Sequence, residues 1–269
     1  MQPTDNIYKV ILSDPNHYFE SKITVNLGSS VATLTDGEIM SMKTTNSIFP
    51  SGNPQAGFAV SGELDVVIIK PSFDIPRAAE IRPYVRVCTK GIEDGPVAGL
   101  AVAGISIVGK ADANSSMWLA KGVYYVDTRK VSLNSYGPDT VTIHAYDAML
   151  KFDNPYPSDS GANYPKSDVS AVSFLAQSIG IGVDIRTWAV MTKNYSIPLP
   201  VGYTSREILG YIAGFYGGNF IINEVGELRL LKIVDIPVNR SILVAPGGDF
   251  LVFGADEGAT RILLYAGRN

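Results

Sequence analysis

Alternation of apolar and polar side chains dominates the chain from its N-terminus to about residue 150. In "DTVTIHAYD" (139–147), Val141, Ile143 and Ala145 fall on one side and Thr142, His144 and Tyr146 on the other. That is the period of two of a strand with one buried face. Alternating or apolar runs of similar length recur in "YKVILSD" (8–14), "SKITVNL" (21–27), "AVSGELDVVIIK" (59–70), "IRPYVRV" (81–87), "ISIVGKA" (105–111) and "KGVYYVDTRKVSL" (121–133). Between them "SDPNH", "PSGNPQ", "KPSFDIP" and "SYGPD" supply the Pro, Gly, Asn and Asp that let a chain reverse. Many strands punctuated in this way predict a barrel or a sandwich.

The period then changes. "FDNPYPSDSGANYPKSD" (152–168) is rich in turn residues and reads as a boundary or an exposed loop. In "SDVSAVSFLAQSIGIG" (167–182), Val169, Val172, Leu175, Ala176 and Ile179 recur at helical spacing, with Ser167 or Asp168 to cap the start and Gly180 to end it. "TSREILGYIAGFYGG" (204–218) opens with Thr204 and Glu207 at capping-box spacing and runs Ile208, Leu209, Ile212, Phe215 and Tyr216 along one side before Gly217-Gly218. "NFIINEVGELRLLKI" (219–233) predicts a hairpin turning around Asn223 to Gly226, so residues 168–235 form a small α+β unit. The tail from Asn239 returns to β-character, and its few strands need partners elsewhere to bury their apolar sides.

The 269 residues, 46% hydrophobic and 18% charged, have the composition of a folded chain with room for more than one domain. A net charge of −4 speaks against a surface that grips nucleic acid, which needs Lys and Arg concentrated on one face. Cys88 is the only cysteine, which removes an intrachain disulfide framework and a cysteine-rich zinc site and suits a reducing cytosol. The N-terminus has no basic region followed by an apolar one, so no secretory signal is expected, nor any membrane segment. "PVAGLAVAGISIVG" (96–109) is too short and too glycine-rich for a transmembrane helix and reads as buried strand or loop.

Chemistry is sparse. On a strand the odd separation of His144 and Asp147 points their side chains apart, so the pair reads as architecture, a sheet histidine beside a tyrosine. "GKADANSS" (109–116) lacks the hydroxyl residue a P-loop places after its lysine, and the glycines of "AGFYGGNF" follow a helix instead of opening one. Carboxylates near Asp153 and Asp159, or Asp256 and Glu257, read as solvated loop acids, and neither a "GxSxG" elbow nor a nucleophilic cysteine context occurs. No catalytic, cofactor-binding or metal-ligating residue is therefore assigned, and no cofactor is expected. A hydrolase working through an acid pair, and a carbohydrate-binding module using Trp118 or Trp188, stay open as alternatives.

Taken in order, "HYFESKITV", "IMSMKTTNSIFPSGNPQAGFAVSGELDVVI", "IPRAAEIRPYVRV", "MWLAKGVYYVDTRKVSLNSYGPDTVTIHAYDAMLKFDNPYP", "GIGVDIRTWAVM" and "YTSREILGYIAGFYGGNFIINEVGELRLL" resemble the tail hub proteins of phages and prophages of Gram-positive bacteria. These are the N-terminal structural regions of tail-associated lysins or baseplate hub proteins. The resemblance implies a mainly β fold with an α+β insert: a tail-tube-like β-barrel over residues 1–151, an α+β domain with two helices and a hairpin over 152–235, and the start of a second barrel over 236–269. It further implies a homotrimer that caps the tail tube as a pseudo-sixfold ring and contacts tail tube, distal tail and tape-measure proteins. DNA would pass through without specific binding. Such a protein is a virion component at the tail tip, assembled in the bacterial cytoplasm, and its structural region is not an enzyme. Family members usually continue beyond the point where this sequence ends, often into a fibre or a cell-wall-cleaving domain, so the chain is expected to be a truncated product or a minimal hub.

Overall fold

The computed structural model describes residues 4, 6–50, 54–89, 115–157, 164–233, 240–244 and 250–254. The chain divides into two compact units, one drawn from residues 1–47, 61–151 and 222–227, the other from 48–60, 152–221 and 228–269. The described residues are mainly β, in sheets that are almost wholly antiparallel, with an α+β portion.

In the first unit, strands β1 (His17–Asn26), β2 (Val31–Thr35), β3 (Ile39–Thr45), β5 (Glu63–Ile69), β6 (Glu80–Thr89), β8 (Tyr124–Ser132) and β9 (Thr140–Asp147) form one sheet in the order β2-β1-β6-β8-β9-β5-β3. The short β7 (Leu119–Ala120) adds to β6, and β4 (Phe58–Ala59) belongs to the other unit. Alternation decides which side is buried: Leu64, Val66 and Ile68 of β5, Val141, Ile143 and Ala145 of β9, and Ile23 and Val25 of β1 share one core with Leu34, Ile81, Tyr124 and Val126.

The first and last strands of this order are consecutive in sequence, joined only by residues 36–38. Seven strands laid flat would separate them by about 29 Å, whereas the linker spans at most about 14 Å. The sheet must therefore curl, and Leu34 of β2 and Met42 of β3 pack against the same core. No ladder joins β2 to β3 among the described residues, so the sheet, for which the pattern predicted a barrel or a sandwich, is curled with an open seam there.

Two other differences from the pattern have clear causes. "YKVILSD" is not a strand: Asn6–Leu12 is helix α1, and Ile7, Val10 and Ile11 follow helical spacing, of which Ile11 is buried. β2 and β3 escaped notice because only Leu34 of "VATLT" is buried and "IMSMKTT" has no fully buried position, so hydropathy barely alternates. "ISIVGKA" and "PVAGLAVAGISIVG" lie outside the described residues.

The second unit follows its predicted helices closely. α2 (Asp168–Ser178) is capped by Ser167, whose side chain accepts from the Ser170 N–H, and Gly180 follows with φ +76°. α4 (Ser205–Phe215) has the complete Thr204–Glu207 capping box, and Gly217 takes φ +64° after it. β12 (Gly218–Ile222) and β13 (Leu228–Lys232) form the hairpin, with Asn223 N–H bonded to the Glu227 carbonyl at 2.8 Å. β4 pairs with β12 in parallel, which places residues 48–60 in this unit. A third helix, α3 (Arg186–Val190), packs on β13, and β10 (Lys166–Ser167), just before α2, pairs with β11 (Ser196–Ile197), which follows α3. In the tail, β14 (Arg240–Val244) pairs antiparallel with β15 (Phe250–Gly254).

Candidate functional site

The outer face of the first unit's sheet is polar and ordered by register. Lys43, Asp65, His144 and Thr128 stand opposite one another across β3, β5, β9 and β8. Within this row His144 Nδ1 bonds Asp65 Oδ1 at 2.6 Å, and the imidazole meets the Tyr146 ring edge to face at 4.7 Å between centroids. The expected divergence of His144 and Asp147 holds. Asp147 turns inward, is buried, and accepts from Gly62 N–H at 2.6 Å, Ser61 Oγ at 3.0 Å and Met149 N–H at 2.9 Å. It fastens the entry of β5 to the end of β9, a structural task.

Across β1, β6 and β7 the same face carries cations on aromatics. Lys22 Nζ lies 4.4 Å from the Trp118 ring centre and 5.0 Å from that of Tyr84, while the Arg86 guanidinium sits 4.5 Å from Trp118 and pairs with Glu20 at 2.6 Å. A sugar-binding tryptophan needs an open face. Trp118 is engaged by the chain's own cations. Trp188 sits half-buried on α3.

The remaining sequence candidates are structural where they are described. Asp153 accepts from Arg206 Nη1 at both carboxylate oxygens, at 3.0 and 3.1 Å. Cys88 is buried, and burial pushes its thiol above the usual range, the reverse of an activated nucleophile. Asp159, Asp256, Glu257 and most of "GKADANSS" lie outside the described residues. Among the described residues no three of His, Cys, Asp and Glu gather as a metal site, and no helix is long and apolar enough to cross a membrane.

Among the buried polar groups that lay beyond sequence reasoning are two carboxylates of the second unit. Asp168 is fully buried and accepts from the Tyr216 hydroxyl; burial first, and then this bond, raise the Tyr216 phenol well above its ordinary value. Asp184, also buried, pairs with Arg186 at 2.5 Å and lies 3.8 Å from Arg229. The partners are set by which segments meet in space, and for Asp168 and Tyr216 these are 48 positions apart.

The borders of the sheets differ between the units. In the second, β13 is covered: Leu228 N–H bonds the Gly182 carbonyl, Asp184 N–H bonds the Leu228 carbonyl, both at 2.9 Å, and Leu230 N–H donates to Thr187 Oγ1 at 3.1 Å. On the other border, Arg206 Nε donates to the Ala59 carbonyl of β4 at 2.9 Å. In the first unit, the outer sides of β2 and β3 have no strand partner among the described residues. Val31 on β2 is 66% exposed and Met40 on β3 59% exposed, which makes this pair of borders the candidate functional surface.

No family model and no curated protein matches the chain. Among solved structures, the 43 kDa tail protein of prophage MuSo2 from Shewanella oneidensis superposes with a TM-score of 0.47 at 15% identity, over 84% of this chain and 59% of that one. The tail protein from Neisseria meningitidis MC58 gives a TM-score of 0.45 at 12% identity, over 81% of this chain and 53% of that one. This chain thus spans between half and two thirds of the length of both proteins, and likeness at this level assigns no role.

Proposed function

We propose that this chain is a structural subunit of a phage or phage-tail-like particle, a hub at the tail tip that forms a homotrimeric ring over the tail tube and performs no bond chemistry. Tail tube, distal tail and tape-measure proteins are its partners, and DNA passes the ring without specific binding. In this reading residues 1–151 are the tube-like barrel, 152–235 the α+β domain and 236–269 the opening of a second barrel. The observation that carries it is the pair of uncovered borders, β2 and β3, on a sheet that is otherwise curled and well packed. Unpaired strand edges invite a neighbour to continue the sheet, and in a ring every subunit gives one border and receives another. The ordered resemblance of six stretches to tail hub proteins supports the same reading, as does the net charge of −4, which keeps DNA from adhering to a channel wall.

Mass measurement on the purified full chain, alone and with its tail tube partner, tests the proposal. A species of three times the 28.9 kDa protomer is expected. A protomer that stays monomeric in both samples and steadily releases soluble fragments from cell walls would overturn it.

A further inference from the structure

A third border lies within the first unit and differs from the seam. β8 runs beside β6 only at Tyr124 and Tyr125, and Val126 closes against residues 78 and 79. At Asp127 the ladder to β9 is bulged, and from Thr128 to Ser132 β8 has no strand partner but β9 among the described residues. A bulge of this kind ends pairing on one side and turns the strand outward. Thr128 to Val131 are all exposed, Val131 at 51%.

The charge along this border is specific. Arg129 is occupied, bonded to Asp74 at 2.5 Å and to the Ile75 carbonyl. Lys130 and Arg77 are exposed, and among the described residues neither has an ion-pair partner; Arg77 precedes Ala78, whose N–H bonds the Val126 carbonyl. A second β8 laid against this border would set Arg129 and Lys130 against their own copies, and like charges facing across a ladder are destabilising. An acidic strand meets the opposite condition. Alternation puts Lys130 and Val131 on opposite faces, so the matching strand alternates acidic with apolar residues.

We infer that the outer edge of β8 from Thr128 to Ser132 docks an extended acidic segment of another protein, which adds to the sheet as one more strand. This surface is separate from the β2 and β3 borders and does not depend on the ring.

The test uses the full chain and two octapeptides, one alternating Val and Glu, the other alternating Val and Lys, read by calorimetry and by hydrogen exchange. The Val–Glu peptide is expected to bind saturably and to slow amide exchange at residues 128–132, and the Val–Lys peptide to do neither. Combining Lys130→Glu with Arg77→Glu, both at exposed positions, should weaken Val–Glu binding by about tenfold and admit the Val–Lys peptide. Failure of the Val–Glu peptide to bind, equal binding to the variant, or protection confined to β2 and β3 would each overturn the inference.

Discussion

The second unit covers the borders of its small sheet with backbone and side-chain groups of its own neighbouring segments, whereas in the first β2 and β3 have no strand beyond them among the described residues. In β13-β12-β4 the outer groups of β13 go to residues 182–187, and a β4 carbonyl goes to Arg206. Buried backbone groups need partners, and here local segments provide them. In the larger sheet the strands are long and their buried face is well filled, yet the outer backbone of β2 and β3 meets no strand among the described residues. A covered border rigidifies a unit from within, and an unpaired one leaves backbone groups to which a further strand could bond.

The largest effect is expected where the covering depends on a buried charge. Asp184 holds the segment before α3 against β13 while pairing with Arg186 and facing Arg229, whose Nε is buried and has no hydrogen-bond partner among the described residues. Asp184→Ala leaves two guanidinium groups around a vacated buried site and should cost about 3 kcal/mol. Chemical denaturation followed at Trp188 should show it; a loss under about 1 kcal/mol would mean that β13 is held without this cover.

Next in size is a change of sign on the β4 side. Alanine in place of glycine inside a helix ordinarily stabilises by up to about 1 kcal/mol. At Gly210 of α4, however, an added Cβ would lie 2.8 Å from the Gly57 carbonyl oxygen, a backbone atom that cannot turn aside. Gly210→Ala should therefore destabilise by about 2 kcal/mol. Gly214, one turn on, has 3.6 Å to Gly57 Cα and serves as the control: Gly214→Ala should be neutral or stabilising in the same melt.

Alkaline pH probes both units together. Burial pushes the Tyr124 phenol of the first up to about 12, and burial with the Asp168 bond raises Tyr216 of the second. Each group stays protonated in the fold after it would ionise in the unfolded chain, near pH 10. The folded form then binds more protons, so stability is complete below pH 10 and falls as pH rises from there toward 12. Tyr124→Phe should blunt the alkaline loss in the first unit alone, and ultraviolet titration of the phenols alongside the melt checks this.

The second unit was the more legible in sequence because its signals are local. Ser167, Thr204, Glu207, Gly180 and Gly217 act on neighbours a few positions away, and each sits where the pattern put it. In the first unit, alternation identified β1, β5, β6, β8 and β9, but not which strand lies beside which. Asp65 and His144 meet across 79 positions because β5 pairs with β9 in one register, and no property of either segment read alone fixes that register. α1 was mistaken for a strand because a seven-residue stretch with a few apolar positions fits both periods. The borders were the least legible: β2 and β3 barely alternate, since they have one fully buried position between them.

The smallest effect on the protomer is expected to be the most informative. Val31 is 66% exposed at the start of β2, and its replacement removes no buried contact. Val31→Lys should therefore leave the melting transition of the isolated chain within about 0.5 kcal/mol of the parent. On a strand border, though, an added lysine blocks edge-to-edge pairing, because a neighbouring strand would have to seat or desolvate its ammonium group. If β2 joins subunits, the variant should remain monomeric at concentrations where the parent forms its ring. The same lysine at Glu38, on the turn rather than the border, should not have this effect. A Val31→Lys chain that assembles as readily as its parent would place the subunit contact away from β2, and the contrast between covered and uncovered borders would then describe packing within the protomer and nothing beyond it.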